Sequence, residues 1–199
     1  MTLSLALLVG ASASATNLVV NGGFEWGSFH NAGTGWHVGG TGHYGYCWVV
    51  PNITIDGITY GTAHSGTYAA WFGDDTGYTA ITEWLNTVPG QQYILSFWIM
   101  NIGTIDTTPP ANWAQVLLSG GSLGSGSNLP SMGWQEVQRE FVASLPLTQL
   151  EFDFENPPGW FGLDDVSVTP TPEPVTWAFC CAGLGLIVLV RRRTCRLPR

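Results

Sequence analysis

Between residues 149 and 155 the chain alternates without a break: Leu150, Phe152 and Phe154 are apolar, and Glu151, Asp153 and Glu155 are acidic. A period of two puts the apolar side chains on one side of an extended strand and the carboxylates on the other. A helix would scatter both sets around its axis, so this segment is a strand with one face on a core. The pattern recurs along the body of the chain. Tyr93, Leu95, Phe97 and Ile99 alternate with Ile94, Ser96, Trp98 and Met100, which predicts a strand buried on both faces. Val137, Arg139 and Phe141 follow Trp134, and Val166 and Val168 close the series. Further strands are expected at 18–20, 44–50, 53–60, 67–72, 79–85 and 115–118, while 119–128 reads as a flexible Gly/Ser loop. Roughly nine or ten short strands, punctuated by Gly, Asn, Pro and Ser, predict an all-β fold with one β-sandwich over residues 16–170.

Charge narrows the partners of that sandwich. The chain has no lysine, and between residues 16 and 171 thirteen acidic side chains face a single basic one, Arg139, for a formal charge of −12. Such a surface repels phosphate backbones and anionic lipid, which excludes DNA or RNA as a partner. Cys47 is the lone cysteine of the sandwich, so no disulfide forms within it, and it is expected to pack as a small buried hydrophobe.

The two ends read as addresses. Leu3 to Val9 is a short apolar run and Ala13-Ser14-Ala15 is an A-x-A cleavage pattern, so residues 1–15 are expected to be a signal peptide and the mature chain to begin at Thr16. No basic residue precedes the run; the signal is atypically short, or its start lies upstream of Met1. At the other end stand Pro172-Glu173-Pro174, an uncharged apolar stretch over 175–190, and Arg191-Arg192-Arg193. Sixteen apolar residues sit at the low edge of what crosses a bilayer core as a helix, and the arginines would stay on the cytoplasmic side. A plain membrane anchor would look the same but for the Pro-Glu-Pro. With it, the tail over 171–199 resembles the PEP-CTERM sorting signal of Gram-negative bacteria. That resemblance implies an exosortase as processing partner, transient residence in the inner membrane, and delivery to the cell surface or extracellular matrix.

A second resemblance covers the whole sandwich. Asn17-Leu18-Val19-Val20-Asn21-Gly22-Gly23-Phe24-Glu25 is similar to the opening of galactose-binding-like jelly rolls, among them many carbohydrate-binding modules. His64-Ser65-Gly66-Thr67-Tyr68-Ala69-Ala70, the 93–100 strand, Trp134 and Leu163-Asp164-Asp165-Val166-Ser167-Val168 follow in the family's order. The resemblance implies a jelly-roll topology and a structural calcium where the first and last strands meet, held by Glu25 and by Asp164 or Asp165, with the loop at 64–66 completing the shell. Parity places Asp164 on the face of Val166 and Val168.

Nine of the ten tryptophans lie in the sandwich. Indole faces suit the apolar C–H patches of sugar rings, so exported glycan binders display tryptophan at their sites. Trp36, Trp48, Trp113 and Trp160 sit among Gly, Pro and Asn and are the candidate ligand-binding residues; Trp84, Trp98 and Trp134 lie in strand-like runs and are expected in the core. Extracellular polysaccharide is the expected partner. Two motif matches carry nothing. Gly40-Thr41-Gly42-His43-Tyr44-Gly45 fits a dinucleotide fingerprint and Gly120-Gly121-Ser122-Leu123-Gly124 a hydrolase elbow, yet neither is followed by a helix. The four histidines lack metal spacing, and nothing pairs two carboxylates across a cleft, so no catalytic residue is assigned. The expected protein is non-catalytic and glycan-binding; the alternatives are a purely structural surface protein and a secreted glycoside hydrolase.

Overall fold

A computed structural model describes residues 16–29, 35–42, 47–55, 57–73, 77–103 and 112–171. The expected signal peptide, and the sorting tail and hydrophobic helix expected beyond Thr171, lie outside the described residues. The described part contains strands and turns and no helix. In chain order the strands are β1 (His37–Gly40), β2 (Cys47–Val50), β3 (Asn52–Ile55), β4 (Ile58–Thr62), β5 (Ala69–Phe72), β6 (Thr79–Asn86), β7 (Gln92–Ile102), β8 (Trp113–Leu118), β9 (Gly121–Ser127), β10 (Met132–Val142), β11 (Leu147–Glu155) and β12 (Trp160–Pro170). One five-stranded sheet has the order β1-β6-β11-β8-β9 and the other β10-β7-β12-β5-β2, all antiparallel; β3 and β4 form a separate hairpin.

The alternation over 149–155 has the predicted consequence. Leu150, Phe152 and Phe154 are buried between the sheets, where Phe154 stacks on Phe72 at 4.4 Å and Phe152 meets Phe97 edge-on at 5.0 Å. Tyr93, Leu95, Phe97 and Ile99 supply the facing layer. A smaller cluster of Ile53, Ala69, Trp71, Ile102 and Trp160 lies on the outer side of the second sheet, under the hairpin. The hairpin sits so close that a Cβ on Gly61 would stand 2.6 Å from the Trp71 ring. The core residues among the described ones belong to one compact unit that spans residues 14–171.

Three expectations change. The opening segment at 18–20 is no regular strand; it is tied to β12 by Leu18 N–H to Val168 O (2.9 Å), Val166 N–H to Gly22 O (2.9 Å) and Val168 N–H to Asn17 Oδ1 (2.8 Å). The single strand expected over 53–60 is the β3–β4 hairpin, turned at Gly57 with φ +78°. The Gly/Ser stretch taken for a loop is β9, paired along β8 from Gly121 to Ser127. Glycine lacks a side chain to pack but keeps both main-chain groups, so a paired neighbour overrides its poor strand propensity. Cys47 is buried as expected, and burial pushes its thiol far above the ordinary range.

Candidate functional site

Two regions gather the chemistry. The first is the corner where β12, the opening segment and the 64–68 turn meet. Asp164 is fully buried; its Oδ2 accepts the N–H groups of His64 (3.0 Å) and Ser65 (3.2 Å), and its Oδ1 accepts that of Asp165 (2.8 Å). Burial pushes its carboxyl up to about 6 against the pull of those amides. Asp165 pairs with His64 Nδ1 at 2.7 Å and accepts Ser65 Oγ at 2.7 Å, while Glu25 Oε1 accepts the N–H groups of Thr67 (2.8 Å) and Tyr68 (2.9 Å). The His64 ring stacks on Trp98 at 3.8 Å. The carboxylates implied as metal ligands therefore do meet one turn, as acceptors of its N–H and O–H groups. Among the described residues no group of three or more His, Cys, Asp and Glu side chains is arranged to hold a metal ion.

The parity argument for Asp164 is corrected. Asp165 has φ 50°, and the β12–β7 register shifts between Asp164 and Ser167, a bulge that reverses the alternation. Leu163, Val166 and Val168 all face the core, so Asp164 stands on the opposite side beside Trp98.

The second region is the outer face of the sheet β1-β6-β11-β8-β9. Glu151, Asp153 and Glu155 project from the central strand β11, opposite to the buried Phe152 and Phe154. Cross-strand registers place Leu117 and Thr82 beside Glu151, Gln115 and Ala80 beside Asp153, and Trp113 beside Glu155. Trp113 donates its indole N–H to Glu155 Oε2 at 2.6 Å and leans on Tyr78 with ring centroids 5.7 Å apart. Gln115 donates to Asp153 Oδ2 at 2.7 Å. Asp153 is buried, its Oδ1 has no N–H or O–H partner, and the Glu151 carboxyl is its neighbour. Burial pushes both carboxyls up, and the charge of Asp153 pushes that of Glu151 further. At the far end of the same face Trp84, paired with Gln149, is 52% exposed.

The structure sorts the tryptophans differently from their sequence neighbourhoods. Trp36 is 2% exposed, packs on Phe24 and Phe152, and donates to Asn21 O; it is a core residue. Trp160 is 6% exposed beneath the hairpin and carries Trp48 stacked on it at 4.7 Å. Trp48 is exposed, but it lies on β2 in the other sheet from Trp113. So the four candidates do not form one surface. Trp84, expected in the core, is the exposed partner of Trp113 on one sheet face. Glu83 and Leu85 on either side of it are buried, so parity along 81–85 was the signal that could have found it.

No protein-family model matches the chain, and no curated protein matches it. Solved structures do match. TmCBM61, solved in complex with β-1,4-galactotriose, aligns with a TM-score of 0.56 at 20% identity over 78% of this chain and 99% of its own. A family 16 carbohydrate-binding module aligns with a TM-score of 0.51 at 17% identity over 76% of this chain and 99% of its own. The enzymatically active domain of tailspike protein 4 from bacteriophage CBA120 aligns with a TM-score of 0.50 at 16% identity, over 78% of this chain but only 21% of its own. At such identities the likeness is one of fold: residues 16–171 are an all-β sandwich of the jelly-roll kind found in carbohydrate-binding modules.

Proposed function

We propose that residues 16–171 are a non-catalytic glycan-binding module of an exported protein. The observation that carries this is the outer face of the β1-β6-β11-β8-β9 sheet, where Trp113 and Trp84 stand at two ends of a field of amide and carboxyl groups. Apolar sugar faces lie on indoles, and sugar hydroxyls need donors and acceptors of the kind Gln115, Gln149 and Glu151 offer. From Gln149 to Glu155 the two indoles are six residues apart along β11, roughly 20 Å at strand rise, a length that suits a chain of sugars. The TmCBM61 complex makes β-1,4-linked galactan a rational first ligand.

Affinity electrophoresis of residues 16–171 in gels holding β-1,4-galactan, xylan or the producing cell's own exopolysaccharide tests the reading. Retardation by one of them, abolished by Trp113→Ala and unchanged by Trp48→Ala, is expected. Migration unaffected by every polysaccharide would leave a purely structural surface protein, and release of reducing ends would make it a hydrolase.

The chain's ends extend the proposal. Residues 1–15 would direct export, and Pro172, Glu173, Pro174 with Arg191, Arg192 and Arg193 would present the tail to an exosortase in the inner membrane before surface delivery. Replacing Glu173 or the three arginines is expected to leave unprocessed protein in the inner membrane; unchanged processing would reduce the tail to an anchor. Calcium would brace the corner of Glu25, Asp164 and Asp165. A melt several degrees higher in calcium than in chelator is expected, and coincident melts would remove the ion.

A further inference from the structure

The two sheets do not close along one edge. On the inner side of β9, Gly124 and Gly126 stand opposite Val116 and Ala114, which face the core, so β9 sends no side chain inward at these two positions. The result is a cleft of about 200 Å³ between the sheets. Its walls are Phe97, Ile99, Val116, Val137, Phe152 and Phe154. An apolar cavity of about 150 Å³ stays dry and takes benzene, so this one has room for a short alkyl chain.

The mouth carries the single basic side chain of the sandwich. Arg139 pairs with Leu95 on β7, a core residue, so it projects toward the cleft and not away from the sheet. A Cβ on Gly124 would stand 3.3 Å from Arg139 Nε, which shows the guanidinium lying across the opening from one sheet to the other. Arg139 donates to Gln138 O at 2.8 Å, and among the described residues no carboxylate lies in ion-pair reach of it. In a region of charge −12 the one cation thus rests over an apolar hole with no ion-pair partner among the described residues. An inward charge on an edge strand such as β10 also discourages edge-to-edge pairing. That role needs no cleft beneath it and no glycines opposite it.

We propose that this cleft binds an aliphatic carboxylate, with its alkyl chain between Phe97, Val116 and Phe152 and its carboxylate on the Arg139 guanidinium. The ligand class follows from the two halves of the site: apolar walls reward a hydrocarbon, and a planar fork of N–H donors pairs with a carboxylate. The site lies between the sheets, apart from the outer face proposed for glycan, so it stands or falls independently.

Titration calorimetry of residues 16–171 with octanoate, 1-octanol and octylammonium tests it without any variant. Octanoate is expected to bind one site at least tenfold tighter than 1-octanol, and octylammonium not at all. Arg139→Gln is expected to lower octanoate to the level of the alcohol, and Gly124→Ile, which fills the cleft from β9, to abolish both. Equal binding of all three probes, binding of none, or octanoate affinity unchanged in Arg139→Gln would overturn the proposal. Self-association of Arg139→Gln with octanoate binding intact would overturn it too, and leave Arg139 as a guard of the strand edge.

Discussion

Glu83 gives this fold its sharpest test, because it is a buried acid with no cation in ion-pair reach among the described residues. It lies on the inner side of β6 between Ile81 and Leu85, is 3% exposed, and has one oxygen on the Val20 N–H at 2.8 Å and the other with no hydrogen-bond partner. Burial pushes its carboxyl from the ordinary 4.5 up to about 7, the Val20 amide pulling only partly the other way. Between those values the folded chain keeps a proton that the unfolded chain releases, so stability falls as pH rises through the window. The contribution is fully present below pH 4.5 and lost above about 7. A shift of roughly 2.5 units at about 1.36 kcal/mol each gives about 3 kcal/mol. Glu83→Gln keeps the shape and the Val20 acceptor and removes the titration. Urea unfolding of residues 16–171 at pH 4.5 and pH 8 is the assay. Asp164, raised in the same sense, titrates in both proteins and cancels in the difference. The wild-type domain is expected to lose about 3 kcal/mol more than Glu83→Gln across that range, on the order of 6–12 °C in Tm for a domain of this size. Parallel pH profiles for the two proteins would show that Glu83 is solvated and that the burial argument fails.

Other outcomes follow from the same packing. Trp160→Ala is expected to destabilise by about 3–5 kcal/mol in chemical denaturation, since it empties the cluster under the hairpin, whereas Trp84→Ala is expected within about 0.5 kcal/mol of wild type and to weaken glycan retention instead. Gly22→Ala would place a Cβ 1.9 Å from the main-chain oxygen of Val166, which cannot swing aside as a side chain could, and is expected to cost about 3 kcal/mol by the same denaturant assay. Asp165→Asn keeps a side chain tolerant of φ 50° but replaces the carboxylate paired with His64, and is expected to destabilise the domain by about 1 kcal/mol in the same denaturant assay.

Much of the fold was legible because alternation is a local property. Leu150, Phe152 and Phe154 had to share a side, and the acids between them had to share the other, whatever the rest of the chain did. The outer face of β11 was therefore written into the sequence as three carboxylates. What surrounds them was not. Gln115 and Trp113 reach Asp153 and Glu155 only because β8 pairs with β11 in one register out of several, and a shift of one residue would have turned Trp113 into the core. The corner of Glu25, Asp164 and Asp165 was found through a resemblance of motifs, and its parity was misjudged because a bulge is a main-chain event that side-chain patterning does not report.

Taken alone, the residues determined an all-strand sandwich, its net negative charge, the buried thiol of Cys47, and two chain ends of strongly different character. Only the tertiary structure decided which tryptophan is wall and which is surface. Burial on the outer side of a sheet depends on what lies over it: the β3–β4 hairpin covers Trp71 and Trp160, nothing comparable among the described residues covers Trp84, and the two glycines of β9 leave a gap that no local pattern announces. Strand periodicity assigns a side chain to a face, and long-range packing determines whether that face is dry.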